Sequence, residues 1–438
     1  MAKPTPQQLE WAKKEFGVII HYDITVFEPY NFRKNWGYSP DPKVFNPTML
    51  DTDQWVRAAK DAGATYAILV AKHCTGFCLW PTEPYSVKQS SYDGDIVDSF
   101  VKSCKKYGIK PGFYYSCSCN GYMKVDNPGY VLSKDPDEQK HYIELVERQL
   151  TELWSRYGEL FEIWFDGGLL AVEKGGPNLK PIYEKYQPQA VRFQGSAIGE
   201  ENNTRWVGNE RGLAPYDCWS ATNGDSQFDG TAEDDSVGAG APDGARWSPA
   251  ECDVPSRKNE WFWNKGEDRK VLPSEKLMDF YYQSVGRNSN LLLGIVVDER
   301  GLVPEKDVEQ LRRLGAMIKR RFANKIAETS GTGTEFSLKL DPGSAVDHIV
   351  ICENLANGHA VRAFSVDLIK NGSTVKTFRA KVIGNKRIFH FPATQTDEIR
   401  LTITETAGTP EITEFSCYFA NDYSFREKLK LFFARKEK

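Results

Sequence analysis

The chain has 438 residues, 40% of them hydrophobic and 26% charged, a length that predicts one large domain followed by a smaller one. Its 56 Lys and Arg against 60 Asp and Glu leave a net charge of −4, which argues against the basic footprint of a nucleic-acid binder. No apolar run approaches the roughly 20 residues that span a bilayer, so no membrane span is expected.

The opening MAKPTPQQLEWAKKEFG is polar and reads as the start of a helix, without the pattern of a secretory leader. The expected compartment is therefore conditional: periplasmic or secreted where a leader has been removed, cytoplasmic otherwise. GVIIH (17–21) is a strand, TDQWVRAAKDAG (52–63) an amphipathic helix closed by glycine, and TYAILVAKH (65–73) a buried strand. The unit repeats in DIVDSFVKSCKKYG (95–108) and KPGFYYS (110–116). A longer helix over 136–157 precedes LFEIWFDGG (160–168). PIYEKYQPQ (181–189) leads into AVRFQG (190–195), and SEKLMDFYYQSVGRN (274–288), SNLLLGI (289–295) and EKDVEQLRRLGAMIKRRF (305–322) read as helix, strand and helix.

Alternating strands and helices imply a parallel sheet, and strands apolar throughout imply burial on both faces. The count favours a closed (β/α)8-like barrel over 1–327. No Gly-rich phosphate loop follows any strand. Beyond it, 331–438 reads as an all-β sandwich of short alternating strands, with KNGS (370–373) as a hairpin turn and ETSGTGTEF (328–336) as linker.

The nine cysteines are odd in number and unevenly spaced, unlike a disulfide framework. Cys74 and Cys78 beside His73, and Cys117 with Cys119, invite a metal reading. The lack of paired CxxC repeats and the scarcity of His favour buried thiols instead.

In a parallel barrel the chemistry sits at the C-terminal ends of the strands. His21, His73, Tyr115 and Asp166 all fall there. Each alone reads as a cap or a hydrogen-bonded structural residue, but four on successive strands read as a site. Gly167 and Gly168 would let a ligand approach the backbone beside Asp166. The 11 Trp and 20 Tyr suit sugar rings, whose C–H faces stack on flat apolar surfaces.

FGVIIHYD, KHCTGFCLWPTEPYSV, GFYYS, EIWFDGG and GRNSNLLLGIVVDERGLVPE together resemble the retaining α-L-fucosidases of glycoside hydrolase family 29. The resemblance covers the barrel, and a C-terminal β-domain, carbohydrate-binding-module-like, is also usual in that family. It implies that Asp166 is the nucleophile. KHCTGF departs from the family's KHHDGF: His73 is kept, while Cys74 and Thr75 replace a His and an Asp. RWVGNERG (205–212) is similar to a segment of the α-1,3/4-specific subgroup, which implies that Glu210 is the acid/base. Glu251, in GARWSPAECDV (244–254), is the rival for that role.

The resemblance further implies a double displacement with no metal or organic cofactor, acting on α-1,3- or α-1,4-linked fucose of branched, Lewis-type glycans. His21, His73 and Tyr115 would bind fucose hydroxyls. Trp36, Trp80 and Trp263 would offer an apolar wall to the C5 methyl, or simply pack in the core. Arg246 would orient the nucleophile or a hydroxyl. The alternatives are a glycosidase for another sugar on the same barrel and a non-catalytic carbohydrate-binding protein.

Overall fold

Helix ends in the chain are set by local chemistry. Thr5 caps α1 (Pro6–Lys14), its hydroxyl accepting from the Gln8 amide while the Gln8 side chain returns to the Thr5 backbone. Asp51 and Asp95 cap α2 (Thr52–Ala62) and α3 (Ile96–Tyr107). Gly63 and Gly108 end those two helices with φ of 98° and 68°, a conformation costly for other residues. The later helices are α4 (Pro136–Arg156), α5 (Lys180–Tyr186), α6 (Ser274–Ser284) and α7 (Glu305–Arg321). The computed structural model describes residues 1–28, 40–223, 236–423 and 427.

Between the helices run β1 (Phe16–His21), β2 (Tyr66–Lys72), β3 (Lys110–Tyr115), β4 (Glu162–Trp164), β5 (Val191–Phe193), β6 (Asn203–Trp206), β7 (Ala250–Pro255) and β8 (Ser289–Val296). They pair in chain order, all parallel, and β8 returns to β1 to close the barrel. This is the expected (β/α)8 architecture.

Alternation along each strand sorts side chains between two layers. Ile19, Ile68, Val70, Tyr114, Trp164, Phe193 and Leu292 fill the interior. Val18, Ile20, Leu69, Phe113, Ile163, Leu291 and Leu293 join the larger cluster beneath the helices. The floor is polar. Glu162 accepts from Trp11 Nε1 at 2.9 Å, and Glu251 accepts from Tyr66 Oη at 2.7 Å and Trp164 Nε1 at 2.8 Å. Burial and the charge of Glu251 push the Glu162 carboxyl well up, and burial pushes Glu251 up to about 7. Burial therefore favours the protonated form of both carboxyls.

The C-terminal unit comprises β9 (Lys325–Thr332), β10 (Glu335–Lys339), β11 (Ala345–Glu353), β12 (Val361–Lys370), β13 (Ser373–Ala380), β14 (Arg387–Gln395), β15 (Glu398–Thr406) and β16 (Glu411–Tyr418). They form two antiparallel sheets, ordered β9-β16-β11-β14 and β10-β15-β12-β13, with a separate apolar core between them. Lys370 pairs with Ser373 around Asn371 and Gly372, whose φ values of 50° and 74° suit a two-residue hairpin. The stretch 328–336, expected as linker, instead lies largely within β9 and β10, where β9 pairs antiparallel with β16 through two register shifts.

Val350, Ile388 and Tyr418 of the sandwich join the barrel's main apolar cluster. Tyr282 Oη lies 2.6 Å from His348 Nε2, and Lys386 pairs with Glu15 at 2.5 Å. The sandwich thus packs against the α6–α7 side of the barrel. Among the described residues no helix is long and apolar enough to cross a membrane.

Candidate active site

Strand β4 carries Glu162 and Trp164 inward, so Asp166, two residues on, keeps the same phase and opens at the C-terminal mouth. Gly167 and Gly168 then turn the chain with φ of 72° and 76°, which an L side chain would strain. Tyr114 Oη donates to Asp166 Oδ2 at 2.8 Å, and Ser118 Oγ donates to the Asp166 carbonyl at 2.9 Å. Burial raises the Asp166 carboxyl above its ordinary range, the Tyr114 hydrogen bond opposes that rise, and the charge of Glu210 adds to it.

His21 closes β1 and stands beside four rings: Trp261 at 4.9 Å, Phe262 at 5.2 Å, His73 at 6.1 Å and Tyr114 at 6.4 Å. His73 reaches the same place through a bulge. The β2–β3 register shifts between Val70 and Lys72, leaving Lys72 opposite Tyr115 on the outer side and turning the next residue inward. The His73 ring stacks on Tyr114 at 5.5 Å and meets Phe262 at 5.0 Å. Burial lowers the His21 imidazole to about 3 and holds His73 well below its usual range. Both rings are therefore neutral at physiological pH, able to donate from one nitrogen and accept at the other.

Two further carboxylates complete the mouth. Glu210, in the loop after β6, is exposed and accepts from Trp261 Nε1 at 3.1 Å. Asp253 is buried on β7, in phase with Glu251, and accepts from Trp206 Nε1 at 2.6 Å. Burial, then the charges of Glu210, Glu251 and Asp166, hold the Asp253 carboxyl well up. Gly294 makes room for this arrangement, since a Cβ there would lie 2.6 Å from the Trp261 ring.

Asp166, Glu210, His21 and His73 are thus gathered at one end of the barrel. Several other expected residues lie elsewhere. Tyr115 points outward and donates to Gln149 of α4 at 2.7 Å, because the alternating strand that turns Tyr114 in must turn Tyr115 out. Trp80 is fully buried in the outer layer and donates to Glu152 of α4 at 3.0 Å. Arg246 precedes β7, at the opposite end of the barrel, and pairs with Glu200 at 2.5 Å. Glu251 belongs to the floor, one turn of the pleat below Asp253. Trp263 is half buried against the outer core, while its neighbours Trp261 and Phe262 make the ring contacts with the histidines. Trp36 lies outside the described residues.

Sequence reading missed Tyr114, Trp261, Phe262 and Asp253. The phase of Asp166 carried along its strand points to one layer. The register between strands, which only the folded barrel supplies, extends that phase to β3 and β7, where it selects Tyr114 over Tyr115 and brings in Asp253. Thr75, which replaces the family's aspartate, donates to Asp23 at 2.8 Å from the end of β1. Burial raises that Asp23 carboxyl to about 7. Among the described residues one group has the donor atoms for a metal ion: His73, Cys74 and Asp166, whose ligand atoms lie within 4.8 Å of one another.

The profile of the α-L-fucosidase family matches residues 2–321. α-L-Fucosidase 1 of Arabidopsis thaliana is 30% identical over 95% of this chain and 87% of its own length. A solved structure of a candidate α-L-fucosidase from Bacteroides thetaiotaomicron superimposes with a TM-score of 0.90 at 36% identity, covering 96% of this chain and 99% of the other. A Ruminococcus gnavus family 29 fucosidase solved with fucose shares the fold, with a TM-score of 0.80 at 22% identity over 96% and 95% of the two chains. The family profile spans most of the barrel and the relatives are covered over most of their length, so the chain belongs to the α-L-fucosidases of glycoside hydrolase family 29.

Proposed function

We propose that the enzyme is a retaining exo-α-L-fucosidase that removes terminal α-1,3- or α-1,4-linked fucose from branched, Lewis-type glycans. The observation that carries the reading is the pairing of Asp166 with Glu210. They come from two different strand ends, Asp166 held by Tyr114 and Glu210 by Trp261, and both of those rings stand beside His21.

Asp166 attacks the anomeric carbon and forms a covalent fucosyl-enzyme. Glu210 gives its proton to the departing glycosidic oxygen, then takes one from the water that releases fucose. A retaining pair needs carboxyls about 5–5.5 Å apart, close enough for direct attack. Tyr114 orients Asp166, and its hydrogen bond favours the ionised carboxylate against the effect of burial. The neutral His21 and His73 bind sugar hydroxyls, and Trp261 with Phe262 offers the flat apolar face that suits the C5 methyl. Trp261 also positions Glu210 through its indole N–H. No step requires a metal or organic cofactor.

Two measurements test this reading. The anomer of fucose formed first, followed by NMR, is α for double displacement and β for single inversion. A panel of fucosylated oligosaccharides tests the linkage. Hydrolysis of a simple aryl fucoside far faster than of an α-1,3/4-fucosylated trisaccharide contradicts the Lewis-type assignment.

A further inference from the structure

The proposed mechanism gives Cys74 nothing to do, yet the thiol sits beside the nucleophile. The ligand atoms of His73, Cys74 and Asp166 lie within 4.8 Å of one another. Cys74 is half buried, with its sulfur 3.7 Å from Ser116 Oγ and in contact with the Cys119 thiol. Imidazole, thiolate and carboxylate form the donor set that borderline-soft cations such as Zn²⁺ favour. Bond lengths of about 2.0–2.3 Å place the ligand atoms of a tetrahedral Zn²⁺ roughly 3.5 Å apart. The widest of the three separations thus has to close by about an ångström for the side chains to share one ion. A dication balances one thiolate and one carboxylate. The nearby Lys72 ammonium is turned away, donating to the Ser116 and Cys119 carbonyls.

We propose that Cys74, His73 and Asp166 form a binding site for a thiophilic divalent cation, and that the bound ion blocks turnover by withholding Asp166 from the sugar. Binding expels the Cys74 thiol proton to solvent and leaves one coordination position for water or the Cys119 sulfur. Tyr114, which holds Oδ2 of Asp166, orients the carboxylate from behind. Inhibition is competitive with fucosides, because metal and sugar need the same carboxylate. The binding claim stands on the three ligands alone, whereas the inhibitory claim rests on Asp166 as nucleophile.

The test pairs a spectroscopic readout with a kinetic one. Cd²⁺ is titrated into wild type, Cys74→Ala and Cys74→Ser while the ultraviolet thiolate-to-metal charge-transfer band is followed, and thermal melts establish that the variants fold. Zn²⁺ inhibition of aryl fucoside hydrolysis is measured in parallel, as an inhibition constant for each protein. The expected result is a saturable band in wild type that both variants lack and that excess fucose reverses. The Zn²⁺ inhibition constant should rise about tenfold or more in both variants, since loss of a direct ligand costs at least as much as loss of an outer-shell partner. No band in wild type, or an equal band in Cys74→Ala, overturns the site. A Cys74-dependent band with undiminished turnover overturns the inhibitory claim and counts against Asp166 as nucleophile.

Discussion

Tyr114 donates its phenol hydrogen to Asp166 at 2.8 Å, while Tyr115, the next residue, donates outward to Gln149 at 2.7 Å. Adjacent tyrosines on one strand therefore serve different layers, and single substitutions separate them. Tyr114→Phe removes the bond that holds the Asp166 carboxyl down against burial, so its pKa rises further. Less of the carboxylate is then ionised at a given pH, and the acid limb of the kcat/KM profile moves to higher pH. Tyr115→Phe leaves that limb in place and costs about 1 kcal/mol of stability through the lost bond to Gln149. Equal pH profiles for the two variants contradict the assignment.

Trp261 joins two functions, since its ring lies 4.9 Å from His21 and its indole N–H donates to Glu210. Trp261→Phe keeps an apolar wall but frees Glu210. The expected loss is larger on a trisaccharide, whose sugar leaving group needs a proton, than on an aryl fucoside with a good leaving group. Trp263→Phe, one side chain further from the histidines, should change neither rate by more than about twofold. Steady-state kinetics on both substrates checks each expectation.

The floor carboxyls make stability depend on pH. Burial raises Glu251 to about 7 in the folded protein from an ordinary 4.5, so the folded state holds this proton more tightly than the unfolded chain. The corresponding stability is fully present below about pH 4.5 and is lost as pH rises through about 7, at up to about 1.4 kcal/mol per pH unit. Glu251→Gln lacks this titration but has only one side-chain acceptor for Trp164 and Tyr66. The variant should be less stable than wild type in acid, with a gap that narrows toward alkaline pH. Urea midpoints across that range measure it, and a pH-independent gap contradicts a proton held on Glu251 by burial.

Much of the barrel was legible in the sequence because its signals are local. Gly63 and Gly108 mark helix ends, and Asn371–Gly372 marks a hairpin, by chemistry contained within a few residues. Asp166, His21 and His73 were legible because polar residues rarely end strands that are otherwise apolar. The phase of each strand was not. With both faces buried, FGVIIH and GFYY carry no polar alternation to say which side chains face inward, so Tyr115 was preferred to Tyr114. Trp80, Trp261 and Trp263 are alike in sequence and differ only in what the folded loops bring to them. Arg246 and Glu251 sit in a segment that looked like active-site sequence. They lie before and at the start of β7, so the strand's direction carries them to the floor. The bulge after Val70, which turns His73 inward, leaves no sequence mark.

The central claim is the division of labour between Asp166 and Glu210. The most direct test is azide rescue of wild type, Asp166→Ala and Glu210→Ala on an aryl fucoside and an α-1,3/4-fucosylated trisaccharide. Wild type should release fucose, and Asp166→Ala should lose at least about a thousandfold in rate. Glu210→Ala should be nearly inactive on the trisaccharide yet form its fucosyl-enzyme from the aryl substrate. Azide should then accelerate turnover and yield α-fucosyl azide, because two inversions preserve the anomer. A Glu210→Ala enzyme that cleaves the trisaccharide at the wild-type rate, or an Asp166→Ala enzyme that retains full activity, contradicts the account.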